Sequence, residues 1–122
     1  MGGMPIELVI TSPVVPKPRP RLGRNNCYLP GGYTSWESSA VLELIPQRNG
    51  IKGLPIDYGV ALTIRIGGHC RGDLDNLIKS VCDALVKAQI LRDDSLSIVQ
   101  GINATWEKSR NPYCIIQIAK VH

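Results

Sequence analysis

Residues 74–88 constrain the fold more than any other stretch. LDNLIKSVCDALVKA places Leu74, Leu77, Ile78, Val81, Leu85 and Ala88 at helical spacing, a stripe that must be buried against another element. On both sides the period changes to two, the repeat of a strand with one buried face. Before it, Val60, Leu62, Ile64 and Ile66 alternate with Ala61, Thr63 and Arg65; after it, Leu96, Ile98, Gln100, Ile102, Ala104 and Trp106 alternate with Ser97, Val99, Gly101, Asn103 and Thr105. Further strands are expected over PIELVIT at 5–11 and over YCIIQIAKV from Tyr113. TSWE, with Thr34 followed three residues later by Glu37, matches a capping box and predicts a helix over about 35–45. The order β-α-β-α-β-β, closing in an antiparallel hairpin, predicts an α+β domain: a mixed sheet of about four strands with two helices on one face. A chain of 122 residues suffices for one such domain over 1–122 but not for two ordinary ones.

No apolar run approaches the roughly 20 residues needed to cross a bilayer, and MGGMPIELVI lacks the layout of a secretory signal. A cytoplasmic protein with no membrane partner is expected. Cys27, Cys70, Cys82 and Cys114 form no C-x-x-C pair, so free thiols are expected rather than zinc or disulfides. In SPVVPKPRPRLGRNN the prolines at 13, 16, 18 and 20 forbid a helix and leave an extended basic arm. Lys17, Arg19, Arg21 and Arg24 on it are either a solvated loop or contacts to phosphate. The net charge of +4 suits a polyanionic partner.

Against that charge, half of the ten acidic residues sit between 70 and 99: Asp73, Asp75, Asp83, Asp93 and Asp94. Taken singly, each has a structural explanation. Asp73 can cap the helix, Asp75 can favour its dipole, Asp83 can pair with Lys79, and Asp93 and Asp94 can form a turn. Taken together they are costly. Asp75, Lys79 and Asp83 make an i, i+4, i+8 row on the face away from the apolar stripe. If the third strand pairs beside the second, its start would bring Asp94 close to Asp73 and Asp75. Two carboxylates about 4 Å apart repel by about 4 kcal/mol at an effective dielectric near 20, and one lysine does not cancel three of them. A divalent cation does, and oxygen ligands favour magnesium, calcium or manganese over zinc.

Rival motifs fail on the letters. An EF-hand counted from Asp73 would need Gly and Glu where Ile78 and Ala84 stand. A phosphatase D-x-D would follow directly on a strand, whereas GGHCRG intervenes; no P-loop is present. His69 reads as a loop histidine, and no organic cofactor is indicated. An acidic site in a basic protein is what a metal-dependent nuclease requires: basic surface holds the backbone while the ion activates water.

RGDLDNLIKSVCDALVKAQILRDDSLSIV, residues 71–99, closely resembles the central motif of the RusA family of Holliday-junction resolvases from bacteria and their phages. There a D-x-D-N opens a helix, a lysine follows one turn on, and an Asp-Asp pair precedes a strand. The resemblance implies that Asp73, Asp75 and Asp94 are catalytic carboxylates holding magnesium, with manganese as the alternative ion, that Lys79 is the essential lysine, and that Asp93 is a further metal candidate. It implies a homodimer that nicks a four-way DNA junction symmetrically in recombination and repair. Lys17, Arg19, Arg21, Arg24 and Arg71 would contact backbone phosphates. The chain departs from the family where members carry an arginine run before the first aspartate: here Arg71 is followed by Gly72. Two alternatives stay open, an inactive module that binds branched DNA and a nuclease acting on flaps or other branches.

Overall fold

The computed structural model describes residues 5–18 and 31–121. Its elements are β1 (Ile6–Ile10), α1 (Gly31–Arg48), β2 (Val60–Gly67), α2 (Leu74–Lys87), β3 (Val99–Glu107) and β4 (Tyr113–Lys120), the α+β order that the changes of period predict. The four strands form one sheet in the order β1-β4-β2-β3. Three apolar rows cross its helix side in register: Ile10, Cys114, Ile66 and Trp106; Leu8, Ile116, Ile64 and Ala104; Ile6, Ile118, Leu62 and Ile102. The opposite face carries Glu7, Thr63, Arg65 and Gln117, and Gln117 donates to Glu7 across it at 3.1 Å.

The expected closing hairpin does not form. β4 runs antiparallel to both β1 and β2, and β2 separates it from β3. Burial explains the arrangement: Cys114, Ile116 and Ile118 are covered and need neighbours on both sides, whereas Ile102 and Trp106 of β3 remain 42% and 44% exposed, as on an edge. β3 pairs with β2 in parallel. A parallel pair needs a long crossover, and α2 supplies it. Its Leu77, Val81 and Leu85 are buried, each contributing about 1.5–3 kcal/mol by the area it removes from water.

α1 differs from its expected bounds at both ends. It begins at Gly31, so Thr34 lies in the first turn rather than ahead of it. Glu37 does not serve a capping box: it is buried and accepts from the Tyr33 hydroxyl at 2.8 Å while pairing with Lys87 of α2 at 2.6 Å. At the other end α1 runs through Pro46 to Arg48, held there by tertiary bonds. The Gln47 amide donates to the Val9 carbonyl (2.7 Å) and accepts from the Val9 N–H (2.8 Å), so one side chain acts as a strand partner for the outer edge of β1. One turn earlier, Glu43 accepts from Thr11 and Ser12.

β3 begins three residues later than its alternation suggests. Ser95 to Ile98 form a turn in which the Ser95 carbonyl accepts from the N–H groups of Ile98 and Val99 at 2.9 and 2.8 Å, and Leu96 projects outward at 84% exposure. Cys70, Cys82 and Cys114 are free thiols; burial raises Cys82 to about 11 and Cys114 to about 12, which keeps both protonated. Cys27 lies outside the described residues. Among the described residues no helix is long and apolar enough to cross a membrane.

Candidate active site

The site is built on the exposed face of α2. β2 ends at Gly67, and the chain turns through Gly72, whose φ of 86° suits glycine; a Cβ there would lie 3.2 Å from the ring of Pro16. This turn sets Asp73 at the N-cap of α2 with extended backbone, φ −95° and ψ 151°. Its carbonyl accepts from Asn76 and Leu77 (3.1 and 3.2 Å), but its carboxylate makes no cap hydrogen bond. Asp73 thus occupies the capping position without using its side chain to cap. Asp75, in the first turn, accepts from the Asn76 N–H at 2.9 Å. Both aspartates are exposed.

One turn beyond Asp75, the Lys79 ammonium lies 2.7 Å from Asp94 Oδ2 and 3.5 Å from Asp83 Oδ1. Asp94 arrives by a different route from the one its sequence position suggests. Parallel pairing sets Val99, the first residue of β3, against Val60, at the end of β2 remote from Asp73, so the start of that strand does not carry Asp94 to the helix tip. Instead the stretch after α2 is pinned beside residue 56. Ile56 donates to the Ile90 carbonyl (2.8 Å) and accepts from Arg92 N–H (2.9 Å), with Ile56, Ile90 and Leu91 all buried. The anchored chain then presents Asp94 to Lys79. The hydrogen bond from Lys79 to Asp94 is the main cause that raises the lysine pKa, which favours its cationic form. Asp93 is engaged locally: its Oδ1 accepts from the Ser95 N–H (2.9 Å) and hydroxyl (2.5 Å), which lower its pKa.

The root of the basic segment lies along α2. Val14 is buried, the Val15 carbonyl accepts from the buried Ser80 hydroxyl at 2.6 Å, and Lys17 N–H donates to the Asn76 carbonyl at 3.3 Å. The Lys17 ammonium, expected on phosphate, sits 2.5 Å from Asp83 Oδ2. Arg71 is exposed two residues before Asp73. Arg19, Arg21 and Arg24 lie outside the described residues.

A cavity of about 260 Å³ opens here, lined by Lys17, Tyr33, Glu37, Asp83, Lys87 and Asp94 among others. Burial, followed by the neighbouring Glu37, raises the Tyr33 pKa. Sequence reasoning missed Tyr33, Glu37 and Lys87 as part of this cluster, and treated Asp83 only as a partner of Lys79; the one visible signal was the place of Asp83 in the i, i+4, i+8 row. The ion-paired groups match in number, lysines 17, 79 and 87 against Glu37, Asp83 and Asp94, and Asp93 adds a further carboxylate to the cavity lining. Among the described residues no group of three or more His, Cys, Asp or Glu side chains is arranged to hold a metal ion. Asp73, Asp75 and Asp94 each offer only oxygen donors, the ligand type that hard divalent cations take, and the Asp73 carboxylate is not used by the helix cap.

The fold and site define a small α+β protein that gathers aspartates and a lysine on the exposed face of one helix, with residues 14–18 of a proline-rich segment held alongside. The chain belongs to the Endodeoxyribonuclease RusA family, whose model matches residues 12–119. Over 97 residues it is 34% identical to the Crossover junction endodeoxyribonuclease RusA of Aquifex aeolicus (strain VF5), a match covering 75% of this chain and 73% of that protein.

Proposed function

We propose that this chain is a magnesium-dependent endodeoxyribonuclease that resolves four-way DNA junctions as a two-fold dimer, by hydrolysing one phosphodiester in each of two strands. Membership of the RusA family and the printed name of the Aquifex relative support the reaction class. The observation that carries the reading to these residues is the Lys79–Asp94 ion pair, one helical turn from Asp75. Asp73, Asp75 and Asp94 would hold magnesium or manganese, which supplies Lewis acidity toward water and the scissile phosphate. Asp93, committed to Ser95, is a weaker donor. Lys79 is the cation that would donate to a phosphate oxygen and offset its charge, and Asp94 orients it. Arg71, with Arg19, Arg21 and Arg24, would hold backbone phosphates, so recognition would depend on shape and salt more than on base sequence.

The test incubates the protein with a synthetic four-way junction, a flap and plain duplex, in magnesium and in chelator. Paired nicks in the junction, dependent on metal, are expected. Flap cutting without junction cutting would replace the substrate; binding without any cutting in metal would leave an inactive branched-DNA module.

A further inference from the structure

We infer that Asp83 is a positioning residue of this site: one carboxylate fastens Lys17 of the proline-rich segment and steadies Lys79 against Asp94, coupling the root of the basic arm to the reacting lysine. The inference rests on the proposed role of Lys79 and Asp94. Three observations support it. The two oxygens of Asp83 are divided between two lysines from distant parts of the chain, Lys17 on Oδ2 at 2.5 Å and Lys79 on Oδ1 at 3.5 Å, with the Tyr33 hydroxyl 3.5 Å from Oδ2. Its side chain is only 18% exposed, whereas Lys79 is 50% and Asp94 37% exposed, so Asp83 is the more constrained end from which a mobile lysine can be aimed. The Lys17 link is also one of several fastenings: Ser80 holds Val15, Asn76 holds the Lys17 backbone, and Pro16 lies against Gly72 beside Asp73. Segment 14–18 is therefore packed along Asn76, Ser80 and Asp83 of α2, and Asp83 is the charged rivet that links it to Lys79.

The two lysines arrange a division of labour. The charge of Lys17 is spent on Asp83, so removing it should disturb the site rather than strip a phosphate contact. Four variants separate the possibilities: Asp83→Asn, Asp83→Glu, Lys17→Met and the Asp83→Asn/Lys17→Met double. For each, the single-turnover cleavage rate, the junction Kd, and amide exchange at Val15 and Lys17 are measured. Asp83→Asn and Lys17→Met should each slow cleavage about tenfold or more through misplacement of Lys79, speed the exchange of Lys17 N–H, and leave Kd within about threefold. The double variant should be no slower than the slower single one, because both remove the same link, and Asp83→Glu should recover part of the rate. Wild-type rate and exchange in Asp83→Asn would overturn the inference, as would single effects that multiply in the double. Should Asp83→Asn fail to fold, Lys17→Met decides, and unchanged exchange and rate in it would overturn the coupling. Asp94→Asn separates this outcome from the parent reading: persistent cutting in that variant defeats the proposed site, whereas its loss with normal Asp83→Asn activity defeats only the role of Asp83.

Discussion

Lys79 and Asp94, fifteen residues apart, are joined by a 2.7 Å ion pair that ties the middle of α2 to the loop preceding β3. Both partners are substantially exposed, at 50% and 37%, and exposed pairs contribute at most about 1 kcal/mol to stability. Lys79→Met is expected to leave the thermal midpoint nearly unchanged while slowing junction cleavage about a hundredfold or more, the usual consequence of removing a charge stabiliser. A parallel loss of midpoint and activity would show a structural role.

Asp73 provides a second separation of fold from function. A working N-cap loses about 0.5–2 kcal/mol when replaced by Ala, but the Asp73 side chain makes no cap bond. Asp73→Ala should therefore cost less than that range in urea unfolding and still abolish metal-dependent cutting. A full capping penalty would make this residue a structural N-cap.

Gln47 covers the edge of β1 with two hydrogen bonds to Val9. Gln47→Ala leaves a backbone donor and acceptor to water and exposes a strand edge, so it should destabilise the fold by about 1–3 kcal/mol and increase self-association at high concentration. Denaturant midpoints and sedimentation measure the two effects separately.

Glu43 sets a limit on acid stability. Burial alone would raise its pKa, but the hydrogen bonds from Thr11 and Ser12 outweigh burial and lower it from the ordinary 4.5. A lowered folded value means that the contribution is fully present above 4.5 and is lost as pH falls through the folded pKa. Glu43→Gln should thus be less stable at neutral pH and show a shallower decline toward about pH 3, read from urea midpoints across that range.

What the sequence determined by itself is what a single element carries. The stripe of α2, the alternation of β2 and β4, and the Asp75–Lys79–Asp83 row follow from repeats of 3.6 and 2 residues, and each appears in the structure where spacing put it. The family motif was legible as a resemblance, because Asp73, Asp75, Asn76 and Lys79 stand within seven consecutive residues. Tertiary structure decided whatever depends on a distant neighbour. Periodicity shows that one side of β3 and β4 is apolar, not which strand each will meet, and the requirement to cover Cys114, Ile116 and Ile118 on both sides placed β4 between β1 and β2. The same holds for Asp94, delivered to Lys79 through bonds between Ile56 and the chain at Ile90 and Arg92, and for Lys17, drawn from a proline-rich arm onto Asp83. Those contacts form only once the shared core is buried, and local spacing carries no record of them.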